Sequence, residues 1–329
     1  MLVSLIVLIV AALVFDFLNG FHDASNIVAT MISSRAVSPR KALALVTIGE
    51  VSGPFLFGVA VATTIGSGVV EKGAVTMPVL IAALCGAITW NVITWFFGIP
   101  SSSSHALVGG IIGAVVVEHG FSALMWSGIS KILLALFISP PLGLLGGFII
   151  QRAILITLKA TDARPGTNWI FRNGQLFTSA WLALSHGSND AQKTMGIITM
   201  GLLATGQISE FAVPTWVIAL SAAAIGLGTA TGGWRLIKTL GYGFYKVWPI
   251  HAFTTQLSSA VVILSAALLG GPVSTTQVVS SAIVGVGASE RVQKVRWTVA
   301  GQIVIAWVLT IPSASLVAAG VYLLVRRFS

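Results

Sequence analysis

Long apolar stretches, separated by short polar links, occupy almost the whole chain. Most of them approach or exceed the about 20 apolar residues that an α-helix needs to cross a bilayer. They run over residues 2–32, 42–65, 78–98, 106–117, 131–158, 175–203, 214–232, 251–270, 278–287 and 298–325. The first stretch has no basic segment before it and no small-residue cleavage signal, so we expect a retained helix rather than a signal peptide. The pattern predicts an all-α, polytopic membrane protein.

Two of these stretches are too short to cross a membrane. As helices, residues 106–117 and 278–287 would cover only about 18 Å of a roughly 30 Å hydrocarbon core. Each follows a break rich in Pro, Ser and Thr, at residues 99–105 and 271–277. Non-helical backbone at this depth is tolerated only inside protein or beside a water-filled cavity. We therefore expect two re-entrant hairpins, with polar tips at 99–105 and 271–277.

The chain contains an internal repeat. Residues 20–26 (GFHDASN) resemble residues 187–193 (GSNDAQK). The first hairpin tip resembles the second at nearly the same separation, about 170 residues further along the chain. Two motifs in the same order predict two duplicated halves, residues 1–160 and 174–329. A cytoplasmic linker, residues 161–173, is predicted to join them. Two spans, a hairpin that returns to its starting side and a third span make an odd number of crossings, so the two repeats are predicted to be inverted.

Composition and charge exclude other classes of protein. Charged residues make up 8% of the chain and apolar residues 56%, whereas soluble domains have about 25% charged residues. The single cysteine, Cys85, cannot form an intrachain disulfide, and Cys and His clusters with metal-binding spacing are absent from the sequence. The net charge of +9 does not indicate nucleic-acid binding, because no soluble domain is present to carry a basic face.

The basic residues instead indicate orientation, since Lys and Arg are concentrated in cytoplasmic loops. On the inverted model, the cytoplasmic links hold Arg35, Arg40, Lys41, Arg152, Lys159, Arg164, Arg172, Arg235, Lys238, Lys246, Arg291, Lys294 and Arg296. The opposite side holds Lys72, Lys131, Arg326 and Arg327. We therefore expect a multi-pass protein of the cell (inner or plasma) membrane, with the lipid bilayer as its surroundings and both termini outside the cytoplasm.

Two carboxylates lie at membrane depth, at equivalent places in the two halves. Asp23 and Asp190 are each in the first span of their half. A charged side chain at the centre of a membrane helix costs about 2.5–3.5 kcal/mol on insertion scales, so it is a candidate for function. With the amide oxygens of Asn26 and Asn189, the carboxylates form a hard-oxygen set that suits Na⁺, or a proton in its place. The alternative is that the two Asp residues only cap broken helices.

Other residues near these motifs have less specific interpretations. Gly20 and Gly187 are expected to break the first span of each half, which would expose backbone carbonyls and helix ends as ion ligands. Asp16 and Glu50 are candidates either for the ion pathway or for helix packing. Three histidines lie beside the motifs, namely His22, His105 and His186. A histidine in such a place is more often a hydrogen-bonded packing residue than a proton relay.

The hairpin tips are rich in hydroxyl side chains. They carry Ser102, Ser103, Ser104, Ser274, Thr275 and Thr276. Each tip opens a helix, and the free N–H groups and positive dipole of a helix N-terminus favour oxyanions. Two tips converging from opposite sides would form a cradle for a tetrahedral anion. Capping of the short helices is the alternative interpretation, and the two can coexist.

Taken together, these motifs resemble the inorganic phosphate transporter (PiT) family. The resemblance is carried by residues 16–26 (DFLNGFHDASN), 185–196 (SHGSNDAQKTMG), 232–239 (GGWRLIKT) and 272–276 (PVSTT), and it extends in order over nearly the whole chain. It implies a cation-coupled symporter of inorganic phosphate, built from inverted repeats with two re-entrant hairpins and usually assembled as a homodimer. It also implies that the paired Asp and Asn residues serve the coupling ion and that the Ser and Thr tips hold phosphate.

The chain departs from the family pattern at several positions. His22 stands where the family often has Asn, and Lys193 stands where sodium-coupled relatives tend to have Asn. An ammonium group near a cation site would compete with Na⁺ and could attract the anion, so Lys193 joins the residues assigned to coupling and favours H⁺. Gln256 and Gln277 stand where an acidic residue and a His are expected, so one protonatable branch is predicted to be missing.

The leading hypothesis is a secondary active symporter that imports inorganic phosphate with H⁺ (or Na⁺) by alternating access. It is not an enzyme and needs no cofactor. If Na⁺ is the coupling ion, Asp23, Asn26 and Asp190 are its expected ligands.

Three alternatives remain open. A sulfate permease of the same family is one, since sulfate is also tetrahedral and the tips alone do not distinguish it. An intramembrane enzyme acting on lipid phosphates is another, although the Ser and His residues lack the strand and turn that surround a catalytic serine. A passive channel is disfavoured by carboxylates at the midplane.

Overall fold

A computed structural model describes residues 2–161 and 167–327, and in these ranges the chain forms twelve α-helices and no β-strand. The helices are α1 (Leu2–Ser33), α2 (Pro39–Leu56), α3 (Ala60–Gly68), α4 (Met77–Phe97), α5 (Ser103–His119), α6 (Trp126–Ala160), α7 (Thr167–Ala204), α8 (Thr215–Thr231), α9 (Trp234–Tyr242), α10 (Pro249–Leu268), α11 (Thr275–Glu290) and α12 (Trp297–Val325). The all-α prediction is confirmed. Part of the predicted linker, 162–166 with Arg164, lies outside the described residues.

The order of the helices repeats along the chain. In the first half, a long helix (α1) is followed by a bent pair (α2 and α3), a pair joined by a Pro/Ser turn (α4 and α5) and another long helix (α6). The second half has the same order from α7 to α12. Within the described residues, five helices are long and apolar enough to cross a membrane, or up to seven if each bent pair counts as one span.

The helix breaks do not lie where the sequence predicts them. α1 and α7 run without interruption through the two Asp motifs. Gly20 and Gly187 instead allow close packing between helices. A Cβ on Gly20 would lie 3.1 Å from Ile225 Cα of α8, and a Cβ on Gly187 would lie 2.7 Å from Glu50 Cα of α2. The prediction that these glycines break the first spans is therefore wrong, because the missing side chain makes room for a neighbouring backbone.

The breaks occur in the second span of each half. α2 and α3 are bent by 68° around Gly58, and α8 and α9 by 71° around Gly232. Both glycines have positive φ, 77° and 69° respectively. A positive φ is strained for a residue with a side chain but not for glycine, so each glycine allows the chain to change direction at the bend.

The two halves of the sequence interlock. α5 packs against α12, and α11 packs against α6, so the last helix of each half lies on the helix pair of the other half. α1 packs on α8, and α2 packs on α7. Small residues allow this close approach: a Cβ on Gly285 of α11 would lie 3.1 Å from Leu144 Cα of α6. The halves therefore share one interior rather than forming separate domains.

One end of the molecule, which we call the basic end, consists of the links 34–38, 243–248 and 291–296 and the first turns of α7. Arg172 Nε donates to the carbonyl of Ala36 at 3.2 Å. The N–H of Arg296 donates to the carbonyl of Phe244 at 3.1 Å. Gln175 Nε2 donates to the carbonyl of Pro249 at 3.3 Å, so α10 also begins here.

The opposite end holds the links 69–76 and 120–125 and the end of α7, since Leu203 and Ala204 of α7 line one cavity with Glu71 and Met125. The N–H of Glu71 donates to the carbonyl of Ala123 at 3.2 Å, and Thr76 Oγ1 donates to Glu118 Oε2 at 2.9 Å. α4 and α5 therefore begin and end at this end, whereas α10 and α11 begin and end at the basic end. The turns of the two pairs meet, since Ser104 Oγ donates to the carbonyl of Val273 at 2.9 Å.

Candidate functional site

Carboxylates from the two halves meet in the interior. Asp23 of α1 and Asp190 of α7 are both completely buried. With His186 they form a group in which one ligand atom of each residue lies within 4.8 Å of the others. Two carboxylates and an imidazole in this arrangement can hold a cation.

His186 lies at the centre of this group. Its Nε2 is 3.5 Å from Asp190 Oδ2 and 3.7 Å from Asp23 Oδ2, and its Nδ1 is 3.0 Å from Glu50 Oε1. The other oxygen of Glu50 accepts a hydrogen bond from Thr229 Oγ1 at 2.8 Å. From the sequence, a packing role is favoured for His186, and Glu50 is a candidate either for the ion pathway or for helix packing. The spacing of four residues between His186 and Asp190 was the available signal, because it places both on one helix face.

A buried ammonium pairs with one of the two aspartates. Lys193 Nζ lies 2.5 Å from Asp190 Oδ1. Asn19 Nδ2 donates to the other oxygen of Asp190 at 3.3 Å. His22 Nδ1 lies 3.0 Å from Asp23 Oδ1. Each aspartate therefore has a different basic partner, although the two are equivalent in the repeat.

The balance of buried charge favours cations. The acidic residues completely buried around the site are Asp16, Asp23, Glu50 and Asp190. The basic residues buried beside them are Lys193, His22 and His186. Uncompensated charge is costly in a low-dielectric interior. With the carboxylates ionised, the site gains from binding protons or a metal cation.

The start of α11 reaches the same carboxylates. Thr275 Oγ1 lies 3.2 Å from Asp23 Oδ2 and 3.2 Å from Asp190 Oδ2, and it can donate its single proton to one of them at a time. Thr276 Oγ1 donates to Asp23 Oδ1 at 2.8 Å and accepts from Asn26 Nδ2 at 3.1 Å. The first turn of α11 and the two aspartates therefore belong to one candidate site.

The serines of the two turns have other partners. Ser102 Oγ and Ser274 Oγ each accept a backbone N–H three residues further on, at 3.2 and 3.3 Å, and so cap α5 and α11. Capping, the alternative interpretation, therefore applies to these two hydroxyls. Ser104 bonds the second turn at Val273 rather than the carboxylates, and Ser103 is buried beside it.

The two asparagines lie on different sides of the second turn. Asn26 reaches Thr276, whereas Asn189 Nδ2 donates to the carbonyl of Gly271 at 3.1 Å. Among the described residues, the amide oxygens of Asn26 and Asn189 are buried without a hydrogen-bond partner. Such oxygens are good ligands for hard cations.

Comparison with known proteins identifies the family. A family model described as "Phosphate transporter family" matches residues 19–169 and 156–318. The chain belongs to the phosphate transporter family. A probable low-affinity inorganic phosphate transporter of Rhizobium meliloti (strain 1021) is 44% identical over 322 residues, which are 97% of this chain and 95% of that protein. The protein with the same description from Bacillus subtilis (strain 168) is 43% identical over 332 residues, which are 99% and 98% of the two chains.

A solved structure shares the architecture. "The sodium-dependent phosphate transporter" superposes with a TM-score of 0.88 at 25% identity and covers 99% of this chain and 100% of its own. As a member of the phosphate transporter family, the chain is a multi-pass membrane protein and a transporter rather than an enzyme. The resemblance found in the sequence is thereby confirmed.

In this member of the phosphate transporter family, the site is closed on all sides. Asp23, Asp190 and Lys193 are 0% exposed, and Thr275 and Thr276 are 1% exposed. Neither a cation nor an anion can reach these side chains from either end without movement of the surrounding helices. The candidate site is therefore closed to solvent in this structure.

Proposed function

We propose that the protein is a secondary active symporter that imports inorganic phosphate together with protons. The observation that carries this proposal is the contact of Thr275, in the first turn of α11, with both Asp23 and Asp190. An oxyanion bound at this helix start would lie beside two carboxylates, and like charges repel strongly at low dielectric. A co-bound cation offsets this repulsion, which gives a physical reason for coupled transport.

Phosphate is the anion that these groups favour. The N-terminal amides of α11 and the threonine hydroxyls can donate to its oxygens. At neutral pH phosphate retains an O–H group, which can donate to a carboxylate such as Asp23, whereas sulfate has none. The bacterial relatives, described as probable low-affinity inorganic phosphate transporters, support the same substrate.

Protons are the preferred coupling ion because an ammonium already pairs with Asp190. Lys193 lies where Na⁺ would otherwise contact this carboxylate, and His186 lies among three carboxylates and can accept a proton. Sodium is the second candidate. The grouping of Asp23, His186 and Asp190 as possible metal ligands favours it, and the similar solved structure is named as sodium-dependent.

The proposed orientation places the basic end in the cytoplasm, in keeping with the positive-inside rule. Two proximities near the chain ends support this orientation of the termini. A Cβ on Gly201, near the end of α7, would lie 3.7 Å from Leu5 Cδ1. Tyr322, near the end of α12, interacts electrostatically with Glu118. Both termini would then be extracytoplasmic.

On this orientation, the pairs α4–α5 and α10–α11 are re-entrant hairpins of two inverted repeats. They enter from opposite sides and meet at Ser104 and Val273. Alternating access would open the occluded site to each side in turn, by movement of the hairpins and bent spans. Assembly as a homodimer remains a prediction.

Radiolabelled phosphate uptake into proteoliposomes tests the proposal. We expect uptake to rise with an inward proton gradient, with the lower pH outside the vesicles, and to fall to background in D23N and D190N. E210Q, which changes an exposed glutamate, serves as the matched control and should transport normally. Uptake unaffected by both aspartate variants would refute the site. Uptake driven only by a Na⁺ gradient would show that the coupling ion is sodium rather than the proton.

A further inference from the structure

Gln192 makes a link between α7 and the bent span that the proposed ion and phosphate site does not explain. It lies on α7 between Asp190 and Lys193 and is completely buried. Its Oε1 accepts the backbone N–H of Val61 at 2.7 Å and of Ala62 at 3.2 Å. These are the second and third residues of α3.

The two amides belong to the unsatisfied N–H groups at the start of a helix. The residue at the N-cap position of α3 is Val59, whose side chain makes no capping bond. An N-cap side chain normally accepts the N–H of the second or third helical residue. Gln192 therefore caps α3 from a different helix.

The orientation of the Gln192 amide shows what the link costs. Among the described residues, its Nε2 is buried without a hydrogen-bond partner. Leaving a buried donor unpaired is unfavourable, and the two α3 amides determine that the oxygen, not the NH₂ group, faces them. The side chain thus gives up one hydrogen bond in order to hold α3.

Among the described residues, the equivalent positions of the repeat, on α1 and α9, make no such link. Ser25 is equivalent to Gln192 in the repeat, and its hydroxyl donates within α1, to the carbonyl of His22 at 2.9 Å. α9, the equivalent of α3, is joined to the first hairpin instead, since Thr239 Oγ1 donates to the carbonyl of Gly98 at 2.9 Å. α3 is thus joined by a buried side chain to the helix that carries the Asp190–Lys193 pair.

We propose that Gln192 is a positioning residue that makes α3 move together with the ion-pair turn of α7 during transport. α3 begins directly after the 68° bend, so a rigid link at its first turn transmits a displacement of α7 to the outer part of the span. Gln192 bonds α3 rather than the carboxylates, so it affects the rate of the conformational change more than phosphate binding. The proposal rests on the transport function proposed above.

Four variants separate this role from others. Q192L removes the acceptor at similar size, and Q192E keeps an acceptor oxygen. Q207L makes the same change at an exposed glutamine and is the matched control. Adding V59N to Q192L supplies a cap from within α3 itself, so it satisfies the amides without restoring the link to α7.

Two measurements are made on the full-length protein. The first is the rate of phosphate uptake at varied phosphate concentration. The second is the distance between spin labels on S67C of α3 and N173C of α7, by pulsed electron resonance. Both positions are exposed, and C85A removes the single native thiol. The distance measurement does not depend on which ion or anion is carried, so it distinguishes failure of this proposal from failure of the proposed function.

In Q192L we expect the maximal uptake rate to fall about 10-fold with KM changed less than about 2-fold, which marks a lost conformational step rather than lost binding. The distance distribution should broaden in Q192L and stay narrow in Q192E and Q207L. Q192L/V59N should fold well and still transport slowly, and it replaces Q192L if that variant does not fold. A normal rate with a narrow distribution in Q192L would overturn the proposal. So would recovery of uptake on adding V59N, or a Q192E that behaves like Q192L.

Discussion

The ammonium of Lys193 lies 2.5 Å from the carboxylate of Asp190, and both side chains are completely buried. Removing one partner of such a pair typically costs about 3–5 kcal/mol, because the other charge is left uncompensated. A cation entering from solvent can restore the balance. We therefore expect Lys193 to be the residue at which a substitution most readily changes the coupling ion.

Replacing Lys193 by Asn should shift the coupling from protons toward sodium. In K193N the Asp190 carboxylate loses its ammonium and gains a neutral amide oxygen nearby, which is a suitable ligand for Na⁺. We expect uptake by K193N to become Na⁺-stimulated and less dependent on a pH gradient. K159N, at an exposed lysine of α6, should leave the coupling unchanged. A K193N variant that stays proton-driven and indifferent to Na⁺ would contradict the assignment of Lys193 to coupling.

Sulfate should compete poorly with phosphate. A site that pairs buried carboxylates with a substrate O–H rejects an analogue that lacks it, by a factor of about 10⁴ in favourable cases. We expect a tenfold excess of sulfate, on the order of millimolar concentrations, to leave uptake of radiolabelled phosphate nearly unchanged. Arsenate keeps the O–H group and the tetrahedral shape, and it should compete. Equal competition by sulfate and arsenate would favour the sulfate permease alternative.

Substituting Gly187 by Ala should destabilise the protein. The added methyl group would overlap the α2 backbone, 2.7 Å from Glu50 Cα, and overpacking of this kind costs about 1–3 kcal/mol. Gly301 of α12 has no atom within 4 Å of an added Cβ, so G301A removes a flexible helical glycine and should stabilise by about 0.5–1 kcal/mol. Thermal unfolding in detergent measures both. Equal melting temperatures for G187A and G301A would indicate that Gly187 has no packing role.

Glu290, which lies at the basic end of the molecule, should make the stability of the folded protein depend on pH. It accepts from His251 Nε2 at 2.6 Å and from Lys294 Nζ at 2.5 Å. The hydrogen bond from His251, aided by Lys294 and opposed by burial, lowers the pKa of Glu290 from 4.5 to about 2. A carboxyl group with a lowered pKa stabilises the folded state fully above its unfolded pKa, so this contribution is lost as the pH falls from about 4.5 to about 2.

E290Q therefore should melt about 1–3 °C below the wild type at pH 7, the size expected for a partly exposed ion pair. The difference should close as the pH approaches 2. E71Q, at an exposed glutamate of the opposite end, should show no such convergence. A gap between wild type and E290Q that stays constant from pH 7 to pH 3 would exclude this account of Glu290.

Much of the fold is readable from local sequence. Hydropathy predicts the helices because every spanning segment must satisfy its own backbone in lipid, and Pro, Ser and Thr predict the turns near residues 99–105 and 271–277. The position of the helix break in each half cannot be read from the sequence, because Gly20 and Gly58 look alike there. Only the neighbouring backbone at Ile225 shows that Gly20 serves packing, and only the positive φ of Gly58 shows that the chain changes direction there.

The site divides in the same way. Asp23 and Asp190 stand out in the sequence because a charge inside an apolar segment is costly and the motif is repeated. His186 and Thr229 do not stand out, since their importance comes from partners far away in the chain. Gln192 does not stand out in the sequence either, because the backbone amides that it bonds lie 131 and 130 residues earlier in the chain.

By itself, the sequence determined that this is a membrane protein of repeated helical halves with paired carboxylates and polar turns, and its motifs are those of a phosphate transporter. These are properties of segments, and the cost of placing each side chain in lipid decides them. The tertiary structure alone decided that the second turn reaches Asp23 and Asp190, that Lys193 pairs with one of them, and that Gln192 holds α3. Those contacts depend on which face each helix turns toward its neighbours, and interlocking of the two halves sets that face.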